Sequence, residues 1–306
     1  MEKRLARVVD AVGEVLLGKQ RQVQLAVTCL IAGGHLLIED LPGMGKTLLA
    51  HALAKALGLS FGRVQFTSDL LPADILGVSV FDRGNDVFRF HPGPIFNQLL
   101  MADEINRTTP KTQSALLEAM EEGQVTTEGE TRPLPRPFFV IATQNPAFQT
   151  GTYPLPESQL DRFLMRIEIG FPTAAAERQI MQGVDRRTLI EAIPAHLAPG
   201  ALLALRAEVD RIKASEALID YVYRLVQHSR HSGEFGFGLS PRGSLALLRA
   251  AKAWALLQER PHVLPEDVQA VLPAVVEHRL RGNAETGGRD GETLARRLLT
   301  QVDVIN

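Results

Sequence analysis

The chain has 306 residues, of which 45% are hydrophobic, 22% charged and 6% aromatic, and this length suits one large domain with a smaller one, or two comparable domains. Its 33 basic and 35 acidic residues nearly cancel, so no overall charge favours nucleic acid or an anionic membrane. The first residues lack the apolar centre of a secretion signal, and no stretch approaches the ~18–20 apolar residues of a membrane span. We therefore expect a cytoplasmic protein without a membrane span.

Short apolar runs alternate with helical patterns in the first half of the chain, which predicts an α/β sheet with helices on its faces. Apolar residues at three- and four-residue spacing predict a helix from Thr47 to Leu57. Two segments with turn residues at their centres, Val78–Phe90 and Gln124–Leu134, are typical of β-hairpins. The predicted strands are His35–Glu39, Arg63–Phe66, Gln98–Ala102, Phe138–Ala142 and Leu164–Ile169.

The second half of the chain has the pattern of helices alone. Ser240 and Pro241 supply an N-cap and a proline at the first helical position, so Arg242 projects from the first turn of that helix. A later helix is predicted to begin at Pro265, with acidic residues in its first turn. We therefore expect an α/β domain over residues 1–172 and a smaller helical domain over residues 173–306.

Residues 39–47, Glu-Asp-Leu-Pro-Gly-Met-Gly-Lys-Thr, have the pattern of a phosphate-binding loop. Such a loop between a strand and a helix aims backbone N–H groups at a phosphate chain, and Gly43 and Gly45 permit the close approach. Lys46 would reach the β- and γ-phosphates, and the Thr47 hydroxyl would ligate Mg²⁺. The alternative is an ordinary strand–turn–helix with a lysine at its start.

Asp40 stands where the usual loop pattern has its first glycine. Aspartate is one of the few other residues that tolerate positive φ, so we expect the turn to survive. The residues expected to bind the nucleotide are Asp40, Pro42, Gly43, Met44, Gly45, Lys46, Thr47 and Leu48.

Polar residues end two other predicted strands. Asp103 could hold the Mg²⁺ shell and Glu104 could polarise an attacking water, although a strand that ends in acids is common in itself. Asn145 follows the next predicted strand, where its amide could orient the water, or it could simply form a turn before Pro146. Together with the loop, these residues predict an ATPase.

The chain resembles the MoxR family of AAA+ ATPases in these motifs and in several others between and after them. The matching segments are His35–Thr47, Leu70–Gly77, Gly93–Phe96, Asp103–Arg107, Lys111–Met120, Ala142–Pro146, Tyr153–Glu157, Gln159–Phe163 and Leu239–Arg242. They follow the family's order along most of the chain. The resemblance implies a P-loop nucleotide-binding domain, an αβα sandwich with a parallel five-stranded sheet and two β-hairpin inserts, followed by a smaller all-helical lid domain.

The resemblance also implies roles for single residues. Lys46 and Thr47 match the Walker A pair, Asp103 and Glu104 the Walker B pair, and Asn145 the sensor 1 residue. Asp40 is familiar at its position in MoxR proteins.

Two arginines complete the set of catalytic residues that the resemblance implies. Arg242 matches the sensor 2 arginine, through which the helical lid senses the nucleotide. Arg162 is at the position of an arginine finger that would act in the active site of a neighbouring subunit. In the plainer alternative, Arg162 pairs with a surface acid and Arg242 is a solvated residue of a helix start. A cation is unfavourable in the first turn of a helix, which favours a functional position for Arg242 that faces phosphate.

The family resemblance implies a ring of identical subunits, with six expected, and a chaperone-like ATPase that remodels protein complexes, often with a partner carrying a VWA domain. Replicative helicases share the two inserts, so a nucleic-acid motor is one alternative. Neither hairpin has a basic stripe at its tip, which argues against that motor. A nucleotide switch that barely hydrolyses ATP is the other alternative.

Overall fold

The computed structural model describes residues 2–145, 153–183, 186–282 and 293–304. Its helices are α1 (Glu2–Val15), α2 (Gln20–Ile31), α3 (Lys46–Ala56), α4 (Pro72–Leu76), α5 (Pro110–Glu122), α6 (Glu157–Leu160), α7 (Ala174–Gln182), α8 (Arg186–Ala192), α9 (Pro199–Arg211), α10 (Glu216–His231), α11 (Pro241–Leu257), α12 (Pro265–Val276) and α13 (Leu294–Gln301). Its strands are β1 (Leu36–Glu39), β2 (Phe61–Gln65), β3 (Gly77–Asp82), β4 (Val87–Pro92), β5 (Leu99–Asp103), β6 (Gln124–Thr127), β7 (Glu130–Pro133), β8 (Phe139–Gln144), β9 (Met165–Ile167), β10 (Phe235–Phe237) and β11 (Arg281–Gly282).

Five parallel strands form the central sheet in the order β2-β5-β8-β1-β9. They are the five strands that the sequence predicts, with ends shifted by at most two residues. All five residues of β5 are buried, as in a sheet covered by helices on both faces. The predicted parallel sheet is therefore confirmed.

Alternate residues of the central strands β1, β5 and β8 enter two different apolar cores, one on each face of the sheet. Leu36 and Ile38 of β1 belong to the larger core, whereas Leu37 between them belongs to the smaller one. This alternation follows from the two-residue period of a strand. It produces the three layers of an αβα sandwich.

The two predicted hairpins are confirmed as antiparallel pairs, β3 with β4 and β6 with β7. They contact each other, because the backbone N–H of Ser79 on the first donates to Glu128 Oε1 at the tip of the second, at 3.3 Å. The guanidinium of Arg132 on β7 also lies 3.9 Å from the ring centroid of Phe90 on β4. The two inserts therefore form one surface.

The described residues after residue 172 form helices, as predicted, with the addition of the short antiparallel pair of β10 and β11. The helix α11 begins as predicted: the Ser240 side chain accepts from the Gly243 N–H, and Pro241 is its first residue. One apolar core includes residues from α1 to α13, so the helical region packs directly against the sheet region. Among the described residues, no helix is long and apolar enough to cross a membrane.

Candidate nucleotide-binding site

The predicted phosphate-binding loop joins the end of β1 to the start of α3. Gly43 and Gly45 have φ angles of 84° and 88°, which side chains larger than hydrogen adopt with strain. A Cβ atom on Gly45 would also lie 2.9 Å from the side chain of Leu16. Both glycines are therefore required by the backbone path of this loop.

The Lys46 side chain lies inside this loop, with 8% of its surface exposed. Its Nζ donates to the carbonyl oxygens of Asp40 at 2.5 Å and Leu41 at 3.2 Å, and to Asn145 Oδ1 at 3.5 Å. Burial lowers the pKa of Lys46, whereas the nearby carboxylates of Asp40, Asp103 and Glu104 raise it. A cation so placed suits a phosphate chain, which would replace the weak carbonyl partners.

Asp40 does not adopt the positive φ that the sequence analysis expects. Its carboxylate instead accepts three backbone N–H bonds, from Leu41 at 2.8 Å, from Ile169 at 2.8 Å and from Gly170 at 2.6 Å. The short acidic side chain thus ties the loop to the segment that follows β9. The expectation is corrected: Asp40 fits this position because it accepts hydrogen bonds, not because it tolerates a left-handed backbone.

The other loop residues differ in their surroundings. Pro42 is exposed, while Met44 and Leu48 are partly buried and pack against the larger core. Thr47, in the first turn of α3, lines a cleft of about 710 Å³ together with Arg63 and residues of α8. Thr47 therefore borders open space beside the loop.

Asp103 and Glu104 lie at the carboxyl end of β5, which is separated from β1 by β8 alone. Thr143 connects the two acids, because its Oγ1 donates to Asp103 Oδ1 at 2.6 Å and accepts from the Glu104 N–H at 2.8 Å. Glu104 has a left-handed backbone with φ of 57°, a conformation that costs roughly 1–2 kcal/mol for a residue with a Cβ atom. Such strain is concentrated at functional sites.

Asn145 connects the loop to the acids and has 1% of its surface exposed. Its Nδ2 donates to Glu104 Oε1 at 3.1 Å, while its Oδ1 faces Lys46 Nζ. The carboxyl ends of parallel strands meet at one edge of the sheet. This brings Lys46, Glu104 and Asn145 together, although Lys46 and Asn145 are 99 positions apart along the chain. Pro146, before which Asn145 could form a turn, lies outside the described residues.

Two arginines that the sequence analysis did not select also contact the acids. Arg63 Nη2 on β2 lies 2.6 Å from Asp103 Oδ2, and Arg107 Nε lies 2.8 Å from Glu104 Oε2. Each reduces the repulsion between the adjacent carboxylates. Arg63 had no sequence signal, whereas Arg107 is part of the matching motif Asp103–Arg107.

The side chains near the loop fit ATP and Mg²⁺ by their chemistry. Thr47 and Asp103 offer hydroxyl and carboxylate oxygens, which are the hard donors that Mg²⁺ prefers. Arg63 contacts Asp103 and also lines the cleft that Thr47 lines.

Arg162 and Arg242 lie at the opposite edge of the sheet. Both line a cavity of about 450 Å³ with Gly33 and Gly34, which precede β1, and with Leu164, which precedes β9. Since β1 and β9 are parallel, this cavity is at the amino ends of the strands. The phosphate-binding loop is at their carboxyl ends.

The structure therefore corrects the expected position of Arg242. The family resemblance implies that the lid senses the nucleotide through Arg242. In the structure, however, Arg242 lies beside Arg162, and both guanidinium groups contact Glu121. The strand length between the two edges separates Arg242 from the loop of its own chain. Arg162 also makes the contact that the plainer alternative predicts, because it pairs with the acid Glu121.

The comparisons with known proteins agree with this fold and site. The family model described as ATPase family associated with various cellular activities (AAA) matches residues 35–165, and the AAA lid domain model matches residues 227–298. The protein is therefore an AAA ATPase by class, which implies nucleotide binding.

Individual relatives narrow the class to a family. The chain is 44% identical over 302 residues to the uncharacterized protein YeaC of Bacillus subtilis, covering 98% of this chain and 94% of that protein. It is 40% identical to the chaperone MoxR1 of Mycobacterium tuberculosis, over 90% of this chain and 75% of that protein. A crystal structure of a candidate ATPase from Cytophaga hutchinsonii matches with a TM-score of 0.90 and 36% identity, over 100% of this chain and 95% of that one. The chain belongs to the MoxR family of AAA+ ATPases.

Proposed function

We propose that this protein hydrolyses ATP to ADP and phosphate and uses the reaction for chaperone-like remodelling, maturation or activation of protein complexes in the cytoplasm. The observation that carries the proposal is the position of Asn145 between Lys46 and Glu104. One residue thereby connects the cation that would hold the phosphates with the carboxylate that would activate water.

Each side chain has a separate task in the proposed reaction. The loop backbone and Lys46 hold the phosphate chain, and Glu104 accepts a proton from the attacking water. Asn145 fixes the Glu104 carboxylate, and Thr143 fixes Asp103. Mg²⁺, held by Thr47 and Asp103, would neutralise charge that develops on the phosphate oxygens.

The decisive test compares Glu104→Gln with Lys46→Ala. We expect Glu104→Gln to bind ATP and to lose at least about 10²-fold in turnover, because a general base contributes on that order. Lys46→Ala should lose nucleotide affinity. Glu118→Gln, on the exposed face of α5, is the matched control and should behave as wild type.

Two results would contradict the proposal. Turnover of Glu104→Gln equal to wild type would remove Glu104 from the mechanism. Wild-type turnover as low as that of Glu104→Gln, with intact ATP binding, would favour the nucleotide switch.

We further propose that Arg162 and Arg242 serve the nucleotide of a neighbouring subunit in a closed ring, hexameric by analogy with the family. Their position at the edge away from the loop supports this, because only a second chain can bring phosphates to them. Leu245, one turn after Arg242 on α11, has 70% of its surface exposed, and burial against a neighbour would stabilise the ring.

The paired hairpins are the proposed contact surface for protein clients and a VWA-domain partner. Phe88 at the tip of the first hairpin has 73% of its surface exposed, and its ring lies 5.2 Å from that of Phe81. Arg89 pairs with Asp82 at 3.1 Å, and Arg132 pairs with Glu130. Because these arginines pair with acids of their own hairpins and the tip is aromatic, the surface favours a protein partner over the phosphate backbone of nucleic acid.

A further inference from the structure

Glu121 is the shared partner of the two arginines at the amino edge of the sheet. Its Oε1 accepts from Arg242 Nη2 at 2.6 Å, and its Oε2 accepts from Arg162 Nε at 2.8 Å. The three side chains come from three separate segments: the last turn of α5, the segment after α6 and the first turn of α11. Glu121 therefore joins the sheet region to the helical region.

The other charges at this cavity have partners of their own. Asp161 binds Arg279 at 2.6 Å, and Arg249 lies 3.4 Å from Asp210. Among the described residues that line the cavity, Glu121 is thus the acid that remains for Arg162 and Arg242.

Helix electrostatics alone disfavours an acid at this position. Glu121 is in the last turn of α5, where the helix dipole repels negative charge. Hydrogen bonds from Arg162 and from Arg242 lower the pKa of Glu121 despite its partial desolvation, so the carboxylate stays ionised. In turn, the one carboxylate between the two arginines reduces the repulsion between their positive charges.

The contacts leave both arginines able to bind phosphate. Arg162 uses Nε and Arg242 uses one Nη in their bonds to Glu121, while a guanidinium has five N–H donors. The remaining guanidinium nitrogen atoms make no hydrogen bond to the described residues. They are Nη1 and Nη2 of Arg162 and Nε and Nη1 of Arg242. The group as a whole keeps one net positive charge.

The last turn of α5 is itself held firmly. His35 Nε2 lies 3.2 Å from the carbonyl oxygen of Met120, and His35 Nδ1 accepts from the Val140 N–H at 3.0 Å. Glu121 follows Met120 directly, so the starts of β1 and β8 fix its backbone. Gly123, with φ of 64°, then leads into the β6–β7 hairpin.

We propose that Glu121 is a positioning residue that holds Arg162 and Arg242 as one unit facing the phosphates of the neighbouring subunit. This inference rests on the proposed function of the two arginines. It adds that their effect depends on the carboxylate of Glu121, and that this carboxylate connects the intersubunit site to the β6–β7 hairpin.

The test is a mutant cycle on steady-state turnover at saturating ATP. Glu121→Gln keeps the shape of the side chain and removes its charge, and we expect turnover to fall on the order of 10–10²-fold, because small misplacements of reacting groups cost this much. ATP affinity should stay unchanged, since the loop is at the other edge of the sheet. Glu122→Gln, the exposed neighbour in the same turn, should match wild type.

The cycle then adds Glu121→Gln to an Arg162→Ala/Arg242→Ala background. We expect no further loss there, because Glu121 acts through the arginines. A further loss equal to that in wild type, or wild-type turnover of Glu121→Gln itself, would overturn the inference. Urea unfolding of each variant separates a loss of fold from a loss of positioning.

The same measurements distinguish failure of the inference from failure of the proposed function. If Arg162→Ala and Arg242→Ala both turn over as wild type, the intersubunit role of the arginines is wrong, and the inference fails with it. If both variants lose activity while Glu121→Gln does not, only the role of Glu121 is wrong.

Discussion

At the scale of single residues, Asp40 shows how one side chain can satisfy a motif in an unexpected way. Its carboxylate accepts N–H bonds from Leu41, Ile169 and Gly170. Two of these donors are more than 120 residues away along the chain, so the loop and the segment after β9 are held together by one acid.

We predict that Asp40→Ala lowers both stability and ADP affinity. Loss of the carboxylate leaves backbone donors without their acceptor, which costs roughly 1–3 kcal/mol. Asp40→Asn should have an intermediate effect, because it keeps one accepting oxygen. Thermal unfolding with and without ADP measures both quantities.

Asp10→Ala is the matched control for this prediction, since Asp10 is an exposed acid on α1. The structural role of Asp40 would be refuted if both alanine variants unfolded at the same temperature and bound ADP equally.

At this scale the sequence was enough to select the candidate site residues, but not all of the residues that contact them. Lys46, Thr47, Asp103, Glu104 and Asn145 follow predicted strands or the glycine-rich turn, so local pattern was enough to select them. Their partners could not be selected in this way, because those contacts depend on which strands are neighbours. Arg63 contacts Asp103 only because β2 pairs with β5.

At the scale of elements, His35 connects two strands and a helix. The pKa of His35 is lowered to about 4, mainly by burial and to a smaller extent by the charge of Arg206, while the hydrogen bond to Met120 acts in the opposite direction. The neutral ring accepts from the Val140 N–H and donates to the Met120 carbonyl. Protonation would remove the acceptor for Val140.

We predict that His35 makes the protein less stable as the pH falls from about 6.5 to about 4. In this window the unfolded chain binds a proton at His35 that the folded chain does not, so the free energy of unfolding decreases by up to about 1.4 kcal/mol per pH unit. His35→Asn should unfold more easily at pH 7.5 and should show a smaller decrease toward pH 5.

Denaturant unfolding at several pH values measures this difference, and the comparison with wild type cancels the contribution of other acids. His91→Asn is the control, because His91 is exposed on β4. Equal pH slopes for wild type and His35→Asn would contradict the assignment.

The elements themselves were predictable where their signals are local. Apolar spacing identified α3, the Ser240 cap and Pro241 identified the start of α11, and turn residues identified both hairpins. The β10–β11 pair in the helical region was missed, because its strands have three and two residues and lie more than 40 residues apart. So short a pairing leaves no periodic pattern to detect.

At the scale of the whole molecule, the phosphate-binding loop and the arginine pair occupy opposite edges of one sheet. In the proposed ring, each subunit would contribute one half of two different sites. A single chain would then lack the cations that are proposed to stabilise the charge of the reaction.

We predict that two inactive variants complement each other when mixed. Lys46→Ala loses its own nucleotide but keeps Arg162 and Arg242, while Arg162→Ala keeps its loop. A mixed assembly places an intact loop against an intact arginine pair, so ATPase activity should return in part. Before mixing, Arg162→Ala should be reduced in turnover by about 10³–10⁵-fold, as expected without an arginine finger.

The control for this mixture is a chain that carries both substitutions, which should restore nothing when mixed with Arg162→Ala. Size measurement with and without ATP should detect the assembly. Absence of recovery, or a monomer under every nucleotide condition, would contradict the ring.

The sequence by itself determined the fold class, the loop and the acids of this MoxR-family ATPase, because these features depend on residues close together in the chain. The tertiary structure decided the contacts of Asp40 and the position of Arg242, and it revealed the contacts of Thr143, Arg63 and Glu121. Those contacts depend on strand order and on the packing of the helical region against the sheet region, which bring together residues between 39 and 130 positions apart. The physical reason is that hydrogen bonds and ion pairs act over a few ångströms in space, whatever the separation along the chain.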